Sequence, residues 1–168
     1  MDRATLEQSF ERILAANGAA LSRLAASYTN TISDRDDLLQ EIAVAIWQAL
    51  PKFRGECSER TFAFRIAHNR GITHLARTRA QMSDPIEEIE VYDPTPGPES
   101  DLAQRQRADR LKQAVHRLPV GYRQVITLTL EGLGYREISD VLGISESNVG
   151  VRLNRARQLL QDLLEKRK

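Results

Sequence analysis

The residues with the plainest chemical purpose lie near the C-terminus. The stretch Tyr135-Arg-Glu-Ile-Ser-Asp-Val-Leu-Gly-Ile-Ser-Glu-Ser-Asn-Val149 reads as helix, tight turn, helix, and the second helix continues through Arg152, Arg155 and Arg157. Ile138 and Leu142 fall one turn apart, Gly143 supplies a left-handed turn residue, and Ser145 is placed to cap the second helix. Val149 and Leu153 then point to a core. Ser147, Asn148, Gly150, Val151, Asn154 and Arg155 are left outward, a mostly polar face of the kind that meets base edges in a major groove. An ordinary helical hairpin with a basic exposed side satisfies the same spacing.

Catalysis finds no comparable support. No serine or cysteine nucleophile is paired with a base, and no Gly-rich phosphate loop is present. Cys57 is the single cysteine, so an intramolecular disulfide and a multi-thiolate metal site are excluded. His68, His74 and His116 have no metal-ligand spacing and read as solvent-exposed or capping histidines. No metal and no cofactor is expected.

A second polar stripe lies in the N-terminal half. Leu39, Ile42, Ala43, Ile46, Trp47 and Leu50 recur at the spacing of one helical face, after a start signalled by Ser33, Asp34 and Asp36, and Pro51 closes the run. On the other side Asp37, Gln40, Glu41 and Val44 line up at i, i+3, i+4 and i+7. As spacing alone, this is equally a solvated face.

Beyond the loop 52–60, a further helix is predicted over Thr61–Arg77. Phe64, Ala67, Gly71 and Leu75 share one face, Arg70, His74 and Arg77 another, and Arg65 and Asn69 a third. Such a helix, apolar and cationic at once, suits half-burial in a bundle with its free side toward phosphate. Phe62 and Phe64 read as core rather than as platforms for stacked bases.

The elements carrying these residues fall into separate blocks of charge. Lys and Arg against Asp and Glu number 11 and 9 in residues 1–80, 0 and 7 in 81–104, and 13 and 7 in 105–168, which the net charge of +1 conceals. Pro85, Pro94, Pro96 and Pro98 interrupt the acidic middle, so no helix or central strand runs through it. It is a linker: either a solvated spacer or a polyanion that occupies a basic channel on a partner. No apolar run approaches the roughly 20 residues that span a bilayer, and the N-terminus lacks a signal core. The expected location is the cytoplasm.

Taken in order, Asp37-Leu-Leu-Gln-Glu41 with Trp47, Phe53-Arg-Gly55, Arg65-Ile-Ala-His-Asn69, Leu118-Pro119, Tyr135-Arg-Glu-Ile138 and Arg152-Leu-Asn-Arg-Ala-Arg157 resemble bacterial RNA polymerase sigma factors of the extracytoplasmic-function group, in the sigma-70 family. The resemblance spans nearly the whole chain. It implies an all-α fold of two small helical domains: sigma domain 2 over residues 1–80, an acidic Pro-rich linker over 81–104, and sigma domain 4, a helix-turn-helix, over 105–168. It also implies an alternative sigma factor, not an enzyme, that binds core polymerase, directs it to promoters and promotes melting.

Residue by residue, the resemblance places Asp37, Gln40, Glu41 and Val44 on the polymerase β′ clamp. Phe53, Arg54, Gly55, Ser58 and Arg60 would form a pocket for a flipped base of the minus-ten element, with Arg65, Asn69, Arg70 and Arg77 along the melting strand and upstream backbone. Ser147, Asn148, Val151, Arg152, Asn154, Arg155 and Arg157 would read the minus-thirty-five element. Core RNA polymerase (β′ clamp and β flap), promoter DNA and an anti-sigma factor are the implied partners, with no small-molecule substrate. Four positions depart from the family's pattern: Thr73 (often Asp), Phe62 (often Trp), Asn148 (usually Thr or Ser) and Gly150 (commonly basic). The alternative is a stand-alone helix-turn-helix regulator that binds duplex DNA without polymerase.

Overall fold

The structure, a computed structural model, describes residues 2–81 and 102–166. Its regular elements are helices: α1 (Arg3–Ala26), α2 (Ile32–Ala49), α3 (Glu59–Gln81), α4 (Leu102–His116), α5 (Val120–Leu130), α6 (Tyr135–Leu142) and α7 (Glu146–Glu165), with a 3-10 turn over Leu50–Lys52. This is the all-α fold expected. The chain divides into two compact units, one built on α1–α3 and the other on α4, α5, the start of α6 and α7. The acidic stretch 81–104 lies outside the described residues except at its ends, where Gln81 closes α3 and Leu102–Gln104 open α4. No helix among the described residues is long and apolar enough to cross a membrane.

In the first unit each helix packs on the other two. α1 is an element the motif spacing does not announce; it starts where the Asp2 carboxylate accepts a hydrogen bond from Thr5 N at 2.8 Å. α2 begins at Ile32, with Thr31 rather than Ser33 as the cap, its hydroxyl accepting from Asp34 N at 3.0 Å. α3 runs four residues past the predicted Arg77 and starts two earlier than Thr61, because the Ser58 hydroxyl accepts from Thr61 N at 3.0 Å.

The buried ridge of α2 is also turned from the expected one. Leu38, Ile42, Ala45 and Ile46 are buried, whereas Leu39, Ala43 and Trp47 are half-buried at the flank. The reason is that α2 is wedged between α1 and α3, so the centre of its apolar arc faces the seam between two neighbours. Trp47 meets the Phe10 ring edge-on at 5.3 Å. Ile13, Leu21 and Leu24 from α1, Leu50 and Phe64 complete the core. Each such large side chain contributes about 2 kcal/mol by leaving water.

α3 joins the bundle through small residues. Ala63, Ala67 and Gly71 are buried, and the Tyr28 ring lies so close to Gly71 that a Cβ there would sit 2.5 Å from it. The Tyr28 hydroxyl and His68 Nδ1 form a buried hydrogen bond at 2.8 Å. His68 is therefore neither exposed nor capping, a correction to the sequence expectation. It falls on the buried stripe Thr61, Phe64, His68, Gly71, at i, i+3, i+7 and i+10, and the tyrosine hydroxyl satisfies its ring. Burial drives its pKa down to about 4, since the charged ring is disfavoured away from water. Across the same bundle Arg12 of α1 pairs with Glu59 at the start of α3, and that guanidinium holds the Glu59 carboxyl below its usual range.

The second unit is tied at its turns. Arg123 Nη2 donates to His116 O and Leu118 O at 2.9 and 3.1 Å, closing the C-terminus of α4 against the start of α5. Ile138 and Val141 are the buried residues of α6, and Leu142 is half-buried. Gly143 turns the chain at φ 68°, where a Cβ would cost energy. The Ser139 hydroxyl spans the turn by donating to Ile144 O at 2.6 Å, and Ser145 caps α7 by accepting from Asn148 N at 3.1 Å. Val149, Leu153 and Ala156 fix α7 on the core. Gly150, expected outward, is half-covered: the Tyr135 ring lies 3.4 Å from where its Cβ would be.

Gly71 and Gly150, both within helices, differ in the space beside them. Gly71→Ala drives a methyl into a buried ring held by its hydroxyl, and should destabilise the first unit by about 1–3 kcal/mol. Gly150→Ala meets the Tyr135 ring at ordinary contact distance and should stabilise the second by up to about 1 kcal/mol. Thermal denaturation of both variants checks the opposite signs; a stable Gly71→Ala chain would mean that the seam yields.

The His68 pKa carries a sign for stability. Between its ordinary value near 6.5 and the folded value of about 4 the unfolded chain binds more protons, so stability is full above pH 6.5 and lost as pH falls toward 4. The expected loss between pH 7 and pH 5 is about 2 kcal/mol. Urea unfolding followed by Trp47, the single tryptophan and so a reporter of the first unit, measures it. His68→Gln, which cannot take the proton, should flatten this slope, and an unchanged slope would assign it elsewhere.

Candidate functional site

Three exposed surfaces emerge from these packing constraints. The first is the outer side of α2. With Leu38, Ile42, Ala45 and Ile46 committed inward, Asp37, Gln40 and Val44 are exposed and Glu41 is half-exposed. Val44 shows 54% of its surface, an apolar patch among polar neighbours. These four residues line one side of an open groove whose other side is Arg70 and Arg77 of α3. Glu41 accepts hydrogen bonds at both carboxylate oxygens from Arg77 Nη2, at 2.9 and 2.8 Å. The sequence expectation put Glu41 and Arg77 in different sites, and the structure brings them into one.

The second surface is the loop from Phe53 into α3. Phe53 and Phe62 are half-buried and pack together, with ring centroids 4.4 Å apart and planes 30° from parallel. They hold the loop base, leaving Arg54, Gly55 and Ser58 exposed at its tip. Gly55 has φ 74°. Ser58 is already engaged as the α3 cap, its hydroxyl also donating to Thr61 Oγ1 at 3.0 Å, so its free capacity toward a ligand is small. Arg60 lies over the buried Phe64 ring at 5.7 Å, which anchors its guanidinium near the loop. Arg65 and Asn69 are exposed further along α3, one turn apart, and Asn69 O accepts from the Thr73 hydroxyl at 3.0 Å. Arg70 and Arg77 turn instead to the α2 groove.

The third surface lies on α7 between Ser147 and Arg157. Ser147, Val151, Asn154, Arg155 and Arg157 are exposed. Asn148 and Arg152 are half-buried and bonded to each other, Arg152 Nε donating to Asn148 Oδ1 at 3.2 Å, which fixes both side chains before any ligand arrives. Tyr135, 44% exposed over Gly150, adds an aromatic ring to this surface from α6. Spacing along α7 gives no hint of it, because the ring comes from a different helix.

Among the described residues no group of three or more His, Cys, Asp or Glu side chains is placed to hold a metal ion. What the three surfaces offer is fixed polar and cationic groups on a rigid frame, which is recognition chemistry.

Comparison with known proteins agrees with that chemistry. Residues 13–81 match the family described as Sigma-70 region 2, and residues 108–160 the one described as Sigma-70, region 4. The RNA polymerase sigma factor CnrH of Cupriavidus metallidurans is 33% identical over 168 residues, covering 95% of this chain and 88% of the relative. The ECF RNA polymerase sigma factor SigM of Mycobacterium tuberculosis is 30% identical over 165 residues, covering 97% and 79%. Among solved structures, CnrH in complex with the cytosolic domain of CnrY superposes with a TM-score of 0.72 at 28% identity, covering 99% of both chains. The region 2 match coincides with the unit that carries the first two surfaces, and the region 4 match with the helix-turn-helix. This chain belongs to the extracytoplasmic-function group of the sigma-70 family, the alternative sigma factors that direct RNA polymerase to promoters.

Proposed function

We propose that the chain performs this role by binding alone, without catalysis, in the cytoplasm, with labour divided between its two units. The α2 stripe of Asp37, Gln40, Glu41 and Val44 docks on the polymerase β′ clamp. The loop residues Phe53, Arg54, Gly55, Ser58 and Arg60, with Arg65, Asn69 and Arg70, capture the melted minus-ten strand. Ser147, Asn148, Val151, Arg152, Asn154, Arg155 and Arg157 read the minus-thirty-five duplex, the second unit also meeting the β flap. The domain limits are those of the sequence, 1–80 and 105–168 about a linker over 81–104. An anti-sigma protein is a further partner, by analogy with the CnrH–CnrY complex.

The observation that carries the reading is the polar stripe on α2 with Val44 exposed at its end, braced by a fully buried ridge on the other side of the same helix. A rigid amphipathic helix with an exposed valine among carboxylates suits a cationic protein partner. A stand-alone regulator has no use for that stripe.

Reconstituted holoenzyme separates the roles of the first unit. Asp37→Lys with Glu41→Lys should leave the chain folded, with about 1 kcal/mol lost with the exposed Arg77 pair, yet weaken core polymerase binding by about tenfold or more. Asn69→Ala should keep core affinity and lose strand opening on duplex promoters, read by permanganate, with recovery on a premelted template. Unaltered core affinity in the double reversal would reduce the stripe to a solvated face, and normal opening by Asn69→Ala would remove the residue from the melting site.

Substitutions in α7 sort base contacts from backbone contacts. Asn154→Ala and Arg155→Ala should weaken transcription by amounts that depend on the upstream element, each base contact being worth about 1–3 kcal/mol. Arg157→Ala, as a phosphate contact, should weaken all promoters alike. Transcription from a library of upstream elements measures both, and a uniform effect of all three substitutions would contradict base readout by this helix.

A further inference from the structure

We infer that Arg77 is a positioning residue for the polymerase-docking surface rather than a contact to DNA backbone. The inference rests on the docking reading of the α2 stripe given above. Resemblance alone groups Arg77 with the cations that hold the melting strand, and the geometry separates it from them. Its Nη2 donates to both oxygens of Glu41 at 2.9 and 2.8 Å, so the carboxylate is held across the groove between α3 and α2. The two side chains are 51% and 37% exposed, so the pair is open to a partner and screened by water. Glu41 stands one turn beyond Asp37 on the docking stripe, and both line the groove that Arg77 closes from the far side.

A flexible glutamate on a docking face loses rotamer entropy when a partner orders it. Arg77 imposes that order beforehand: with both oxygens held by one guanidinium nitrogen, the carboxylate samples fewer orientations, and its remaining lone pairs are left for a partner. To reach a phosphate instead, the guanidinium has to leave Glu41, giving up two charge-assisted hydrogen bonds. Arg70, on the same face of α3 two turns earlier, makes no ion pair among the described residues and has no such commitment. The groove thus contains one cation spent on positioning and one available to a ligand.

The test measures core affinity and DNA capture separately in full-length protein. Arg77→Gln should lower affinity for core polymerase by about two- to fivefold, the range of an exposed ion pair. Arg77→Lys, which keeps the charge beside Glu41, should recover most of it. In Glu41→Gln the substitution Arg77→Gln should cost nothing further, because the group it positions is already altered. At saturating core polymerase, capture of a premelted promoter fork and its salt slope should match the parent chain. Arg70→Gln, measured alongside, should lower the slope by about one contact. Additive losses in the double variant, no rescue by lysine, or weaker fork capture by Arg77→Gln at saturation each overturn the inference. Asp37→Lys separates the two failures: if it lowers core affinity while Arg77→Gln does not, only the positioning role falls, and if neither lowers it, the docking reading falls with it. Urea unfolding monitored at Trp47 identifies any loss that comes from the fold.

Discussion

The first unit depends on one close approach, the seam where α3 lies against α1 and the Tyr28 ring. α3 is polar over most of its length, and the residues it buries, apart from Phe64, are small or hydrogen-bonded: Thr61, Ala63, Ala67, His68 and Gly71. Without bulky side chains to hold the helices apart, backbone and ring come within contact distance, and dispersion replaces the area that larger residues would bury. That economy leaves the rest of α3 free. Arg65, Asn69, Arg70 and Arg77 can all stay at the surface because the helix needs only a narrow strip to be anchored.

A narrow anchor also explains how two chemistries share one helix. The side of α3 near the Phe53 loop and the side facing α2 are set by the same rotation about the helix axis, which Phe64 and the Tyr28–His68 hydrogen bond fix. A shift of that rotation would move the loop-side residues and the groove-side arginines together. The Arg77–Glu41 pair adds a second tie, from the α3 end to α2, at the cost of one cation that the family resemblance groups with the DNA-holding residues.

Much of this was legible in the residues. The helix-turn-helix was written in Gly143, Ser145, Val149 and Leu153, each of which acts as its type requires, because turn and cap chemistry is local. The α2 stripe was legible for the same reason: a period of 3.6 marks the outer face even though the inner ridge proved to be centred on Leu38 rather than Leu39. What the spacing hid was tertiary. No local pattern states that His68 meets a tyrosine forty residues away, that Arg77 crosses to Glu41, or that Tyr135 covers Gly150. α1 escaped notice since its apolar residues are diluted by alanine and polar side chains along 24 residues. The position of His68 on the Phe64–Gly71 stripe was the one readable clue to its burial.

The Tyr135–Gly150 contact bears on how such a surface can be rebuilt. Part of the face that α7 presents is supplied by α6, and the direction in which a side chain at position 150 would leave the helix is already taken by that ring. A long residue imported at 150 has to displace the tyrosine or bend around it, so grafting α7 alone from a relative with a basic residue there would seat the donor helix in a mismatched socket. Residues 135–157 form the smallest interchangeable module, and chimeras cut inside it join two halves of a single surface that were never shaped to fit.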